Sequence, residues 1–296
     1  MSLGFLFAFL LGLAIGSFLN VLIWRIPRNE PIGATRSYCP NCKKELRWYE
    51  LIPIASFVWQ GGKCRSCHTR ISLQYPIVEF ATGILFVFVF SQFTDLLPQL
   101  FSNVTIPSLV NLLYLFFISS VLIVIFVTDF RYYIIPDKIT FPAIGAVLIY
   151  NLFRNFEHSN FEFVWNLPLN FVERASPLLG GDLRSLALNQ FFGPLFAGFF
   201  VSAFFLSLVL VSKGKWMGLG DVKFAFLMGL ILGFPNIFVA LFLAFTLGSL
   251  VGILLMGAGK KTLQSQLPFG TFLTLATFTS LFWGDKIFNW YWNVIL

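Results

Sequence analysis

Charge is what this chain has least of. Only 11% of its 296 residues are Asp, Glu, Lys or Arg, against about 25% in an ordinary soluble domain. That scarcity excludes a water-soluble globular protein. Histidine is almost missing too. His68 reads as a solvated loop residue beside Cys67, and His158 has no evident role. The sequence carries no glycine-rich dinucleotide-binding unit, no convincing internal repeat, and no basic-aromatic motif of the kind that binds nucleic acid. Cysteine is limited to four residues, all inside one short segment.

What the chain does have is apolar length. Hydrophobic residues make up 57% and aromatic residues 19% of it. Eight apolar stretches can be drawn at roughly 3–24, 76–93, 105–128, 139–153, 191–211, 222–236, 237–257 and 267–283. This predicts an all-α polytopic membrane protein with about eight transmembrane helices. Spans 4, 6 and 8 fall short of the ~20 residues that cross hydrocarbon, so they are expected to be tilted, longer than drawn, or buried by neighbours. The first stretch has no basic residue before it and no clear cleavage site, so it reads as a retained span.

Lysine and arginine orient the chain. Sixteen of the twenty fall in residues 25–75, 129–138, 212–223 and 258–266, and four (Arg154, Arg174, Arg184 and Lys286) fall on the other side. The basic set is cytoplasmic by the positive-inside rule. The net charge of +7 is then a topology signal and needs no nucleic-acid partner. Both termini are expected outside, and the distinctive polar residues all on the cytoplasmic face.

The cysteines form two pairs, Cys39-Pro40-Asn41-Cys42 and Cys64-Arg65-Ser66-Cys67, separated by 21 residues. Two C-x2-C knuckles on a connecting loop place four thiolates at tetrahedral zinc distance. In a reducing compartment this reading beats two disulfides; a redox pair and an iron–sulfur cluster are the alternatives. Four protein ligands leave no open position for substrate, so the role is structural and lets a small cytoplasmic loop fold with little core.

Two aspartates stand at the edges of apolar stretches, where a carboxylate is costly to keep. Asp221 closes Gly218-Leu219-Gly220-Asp221, and Asp129 opens the run to Asp137. Glycines at Gly218 and Gly220 let a backbone unwind or approach closely, which would free N–H and C=O groups for an extended substrate. The plainer reading of Asp221 is a cap on a helix beginning at Val222. For Asp129 it is a boundary carboxylate paired with Arg131. Asp137, after Pro136, reads as a turn and cap residue. Gly180-Gly181-Asp182 is set aside, because it lacks the first glycine and lies on the opposite face.

Read in order, Gly16-Ser17-Phe18-Leu19-Asn20-Val21 with Arg25 and Pro27, the two knuckles, Tyr75-Pro76-Ile77-Val78-Glu79 with Thr82-Gly83, Asp129 to Asp137, Gly218 to Lys223, and Leu267-Pro268-Phe269-Gly270 resemble the bacterial prepilin peptidases, or type IV leader peptidases. The resemblance covers nearly the whole chain and implies a bifunctional enzyme of the bacterial inner membrane. Such enzymes cut the basic leader from prepilins or pseudopilins after a glycine, at the cytoplasmic surface. They then methylate the new terminal amine, usually of phenylalanine, with S-adenosylmethionine. It further implies Asp129 and Asp221 as the catalytic pair sharing a proton, supported by Gly218, Gly220 and Lys223. Residues 1–104, with the zinc loop, would form the part associated with methyl transfer, and 105–296 the peptidase domain. Gly16, Asn20, Arg25 and Glu79 are the methyltransferase candidates; their plainer readings are helix packing for Gly16 and Asn20, topology for Arg25 and loop pairing for Glu79. A stretch at about 154–190 is longer than is usual in the family. Trp165, Leu167, Leu169, Phe171, Leu178 and Leu179 predict that it lies on the outer membrane surface, where pilus or type II secretion machinery is a conceivable contact. An ion-coupled transporter and a peptidase lacking methyl transfer are the competing functions; the zinc loop and Gly16–Pro27 speak against the second.

Overall fold

The computed structural model describes residues 2–33, 36–93, 106–157, 191–259 and 267–295. Among these the structure is helical, and the only β-pairing consists of two isolated bridges. Nine helices follow in order: α1 (Ser2–Arg25), α2 (Ala55–Trp59), α3 (Gln74–Ser91), α4 (Ile106–Tyr132), α5 (Asp137–Glu157), α6 (Phe192–Ser212), α7 (Leu219–Leu232), α8 (Asn236–Gly257) and α9 (Phe269–Ile295). The eight long ones fall on the eight apolar stretches. Five segments, Leu3–Arg28, Gln74–Ser91, Ile106–Tyr132, Phe192–Ser212 and Asn236–Gly257, are long and apolar enough to cross a membrane. Of the stretch at about 154–190 expected on the outer surface, the first residues, to Glu157, continue α5, and 158–190 lies outside the described residues.

Helix limits differ from the hydropathy limits for physical reasons. α9 runs past residue 283, because Asp285 and Lys286 end the apolar run without being helix breakers. α7 begins three residues before Val222 and stops at Leu232, where Gly233 turns to a positive φ of 61° and Pro235 follows. At 14 residues α7 is about 21 Å long, and it survives as a short helix because it is surrounded.

By packing, the chain divides into Met1–Val127 and Thr128–Leu296. In the first unit α1 and α3 run antiparallel at backbone contact. A Cβ placed on Gly12 would lie 2.7 Å from the Gly83 Cα, and one on Gly16 would lie 2.7 Å from the Glu79 Cα. One turn further, the Asn20 side-chain amide donates to the Tyr75 carbonyl at 3.0 Å. Each step of four along α1 is answered by a step of four back along α3. Small residues at Gly4, Ala8, Gly12 and Gly16 make this approach possible, as at other membrane helix pairs. The Phe86 ring stacks on Phe116 of α4, centroids 4.2 Å apart.

In the second unit α7 packs against α5, α6, α8 and α9. Phe224, Ala225, Leu227 and Met228 are completely buried. On its α6 side a Cβ at Gly229 would stand 2.4 Å from the Gly198 Cα, so two backbones touch there. On its α5 side the Asn151 amide donates to the Leu230 carbonyl at 3.1 Å. Outward-facing Phe196, Phe199, Phe242 and Ile253 stay exposed, a pattern that suits lipid and not water.

Replacing Gly229 by valine forces α6 and α7 apart. The expected loss is about 1–3 kcal/mol, typical of overpacking, read as a lower unfolding midpoint of the detergent-purified protein.

Candidate functional site

Asp129 lies in the last turn of α4. The next residues leave the helix because Tyr133 takes a left-handed φ of 56° and donates its N–H to the Asp129 carbonyl at 2.9 Å. The Asp129 side chain is only 5% exposed, so it is not a surface boundary charge. Its carboxylate accepts the Thr271 N–H at 2.7 Å, with the Gly270 N–H contributing. Both donors belong to the first turn of α9, whose N–H groups lack partners inside the helix and suit an anion. The Arg131 guanidinium faces the Tyr132 ring at 5.8 Å.

Asp221 is placed otherwise than as the cap of a helix starting at Val222. It is the third residue of α7, and its carboxylate reaches back to accept the Gly218 N–H at 3.2 Å. This is the acidic half of a capping box, with glycine at the N-cap. The helix start that holds Asp129 and the one that carries Asp221 both face Ile135, through Gly270 and Gly220.

Close approach is possible because of two glycines. A Cβ on Gly270 would lie 2.9 Å from the Asp129 carboxyl carbon and 3.0 Å from the Ile135 side chain; one on Gly220 would lie 3.1 Å from the same isoleucine. Ile135, in the extended link between α4 and α5, is thus wedged between the two helix starts that hold the acids. Beside them Lys223 donates to both carboxylate oxygens of Asp137, at 2.7 and 2.8 Å. Asp137 is the first residue of α5, and its carboxylate ties α5 to α7. Gly270, Thr271 and Ile135 were not singled out from sequence as site residues. The Pro268-Phe269-Gly270 run signals a helix start, yet nothing local tells which carboxylate 142 positions away it receives.

The four cysteines come together as expected. Their Sγ atoms lie within 4.8 Å of one another. Cys39 and Cys67 are 3.8 Å apart, and two ligands of a tetrahedral zinc at about 2.3 Å would stand about 3.8 Å apart. The two knuckles have one geometry. Cys39 exchanges backbone bonds with Lys43 and Lys44, and Cys64 does so with His68 and Thr69. Lys43 and His68 occupy the same left-handed position, φ 59° and 54°. His68 therefore serves as a turn residue. Thr69 hydrogen bonds draw the Cys67 thiol down to about 5, while burial pushes Cys39 up to about 11.

Gly16, Asn20 and Glu79 meet on the α1–α3 seam, and Arg25 closes its end. Gly16 lies against Glu79 and Thr82. Arg25 does more than mark topology: it is 3% exposed and donates to the carbonyls of Pro31, Ile32 and Arg36, each at 3.0 Å. Glu79 is buried and accepts the Ile54 N–H at 2.8 Å, pinning the loop to the seam.

A family model described as the bacterial peptidase A24 N-terminal domain matches residues 10–93, and one described as the type IV leader peptidase family matches 116–253. The chain is 30% identical to the prepilin leader peptidase/N-methyltransferase of Bacillus subtilis (strain 168) over 97% of this chain and 98% of the relative. It is 28% identical to that of Aeromonas salmonicida (strain A449), covering 99% and 95%, and 27% identical to that of Legionella pneumophila, covering 95% and 92%. No solved structure matches.

The Lys223–Asp137 pair is partly exposed, 34% and 54% at the side chains, so its direct energy is small. Lys223→Ala is expected to change chemical-denaturation stability by about 1 kcal/mol or less.

Proposed function

The chain belongs to the type IV leader peptidase family, and on that premise we propose that it cleaves prepilins or pseudopilins with Asp129 and Asp221 and then methylates the new terminus. The observation that carries the reading is the convergence of both carboxylates on two helix N-termini, with Gly220 and Gly270 closing around Ile135. Two carboxylates in one site share a proton more readily than they ionise together. The ionised one takes a proton from water as the water attacks the scissile carbonyl. The protonated one donates to the departing amide nitrogen. N–H groups at Gly218, Gly270 and Thr271 hold the acids in place, so neither role costs reorganisation.

The substrate logic fits this placement. A basic leader remains on the cytoplasmic side and an apolar stem lies in the bilayer, which leaves the junction after glycine at the membrane edge. Asp129 and Asp221 each sit within about one helical turn of a helix end, the matching depth. The proposed setting is therefore the bacterial inner membrane with the active face cytoplasmic.

In the other half, the four cysteines hold zinc in a structural role, tying the loop between α1 and α3. S-adenosylmethionine, as methyl donor, would supply an electrophilic methyl group to the new amine. Buried acceptors on the α1–α3 seam suit a cationic group there: Glu79 carries a carboxylate, and Asn20 Oδ1 is buried without a hydrogen-bond donor. Residues 1–104 are accordingly assigned to methyl transfer and 105–296 to cleavage.

Asp129→Asn and Asp221→Asn each keep an acceptor oxygen for the backbone N–H but remove the titratable group. Cleavage of a peptide with a basic leader, a Gly-Phe junction and an apolar stem should fall at least about 100-fold in either variant, by mass spectrometry, with unfolding unchanged. Normal processing by either variant refutes the two-aspartate mechanism. Elemental analysis should find one zinc per chain, lost in Cys39→Ser together with protease resistance of the loop.

A further inference from the structure

We infer that Asn20 and Glu79 form the binding site for the free N-terminal amine of the cleaved product, with Glu79 as its proton acceptor. The inference rests on the methyltransferase reading above and deepens it, by naming the group bound and the residues that bind it.

The cluster is placed by the register of α1 and α3. Asn20 is five residues from the end of α1, and Glu79 is five residues from the start of α3. At 1.5 Å per residue each lies about 7–8 Å inside its own helix end, with Glu79 facing Gly16 and Asn20 one turn along the seam facing Tyr75. Asn20 is 1% exposed and Glu79 7%. The Asn20 amide is oriented by its bond to the Tyr75 carbonyl, which leaves Oδ1 buried with no donor. Glu79 receives only neutral donors, the Ile54 N–H and the Ser17 hydroxyl. Among the described residues no Lys or Arg forms an ion pair with Glu79, and Arg25 donates to the loop carbonyls of Pro31, Ile32 and Arg36. A buried carboxylate with an orphan amide oxygen one turn away lacks one thing, a cationic donor.

Backbone strain marks the same spot. Ile54 sits at φ 58°, ψ −51°, and the Ala55 N–H bonds to the Pro53 carbonyl across it. This is a γ-turn of the rare positive-φ form, at a β-branched residue that disfavours it. Glu79 holds this turn through the Ile54 N–H. Strain of this kind persists only where the surroundings enforce it, and it concentrates at functional sites. The turn seals the loop over the seam, where an amine would need shielding from water.

A primary ammonium fits the chemistry. It carries several donors, enough for Asn20 Oδ1 and a Glu79 oxygen. The ammonium gives one proton to the Glu79 carboxylate. The neutral amine then uses its lone pair to form the N–C bond to the donor's methyl carbon. The sulfur–carbon bond breaks, its electron pair stays on sulfur, and the donor leaves as a neutral thioether. The product is a methylated ammonium, and Glu79 later returns its proton to water.

The test uses full-length protein in nanodiscs. A peptide matching the cleaved product, with free N-terminal Phe and a fluorophore at its far end, is compared with its N-acetylated form, without methyl donor. Wild type should bind the free amine at least about 10-fold more tightly. Glu79→Gln and Asn20→Leu should abolish that preference, and Glu79→Gln should lower methyl transfer about 100-fold. Leader cleavage and zinc content report that the variants are folded. Equal affinity of wild type for both peptides overturns the inference, as does a Glu79→Gln variant that loses only binding of S-adenosylmethionine. Unchanged methylation by Glu79→Gln overturns this assignment alone, whereas a wild type that never methylates overturns the underlying reading with it.

Discussion

The bond from the Thr271 N–H to the Asp129 carboxylate is the contact on which the second unit turns. It joins the end of α4 to the beginning of α9 across 142 residues. Without the N–H groups of the α9 start a buried carboxylate would stand uncompensated, at a cost of several kcal/mol. With it, the first turn of α9 gains the anion that its unpaired N–H groups favour. Gly270 and Gly220 are consequences of this arrangement, because any side chain at either would meet Asp129 or Ile135. The Asp221 bond to Gly218 repeats the device within one helix. Each acid is thus held by a helix start and not by a mobile side chain, which is the preorganisation that acid/base chemistry requires.

Much of the helical layout is legible in the sequence. Long apolar runs announce the helices, and C-x2-C spacing announces the thiolate cluster, because both are local patterns with one dominant physical meaning. Boundaries are less legible. Hydropathy places the start of α7 at Val222, but Gly218 is free to act as N-cap because Asp221 supplies the missing acceptor from inside the helix. Pairings are least legible. The Asp129 sequence neighbourhood offers Arg131, whereas the partners found come from α9. The α1–α3 seam had a signal that hydropathy conceals: small residues recurring every four positions from Gly4 to Gly16. Glycine among leucines and phenylalanines barely alters an apolar average, while it decides how near two backbones come.

The two cysteine knuckles show how a loop with little core acquires one shape. Tyr38–Glu45 and Lys63–Arg70 form the same bridge, and Lys43 and His68 the same left-handed turn. Similar halves presented to one another bring two thiols each, so the metal-binding geometry needs no extended hydrophobic interior. Glu79 and Arg25 then fasten this loop to its flanking helices through backbone groups alone, which leaves the loop's side-chain chemistry unconstrained.

The α1–α3 ladder carries a consequence for how such a chain can change length. One residue inserted into either helix rotates everything beyond it by about 100° and lifts each later glycine off its partner. The ladder is blind to how many residues lie between Arg25 and Gln74, and lengthening a closed loop adds only about 0.6 kcal/mol per doubling. Insertions and deletions in this half are therefore confined to the loop, and within it to the positions outside the two knuckles and the Ile54 turn. The stretches of loop outside the knuckles can drift in size while the seam beneath them stays fixed to a single residue.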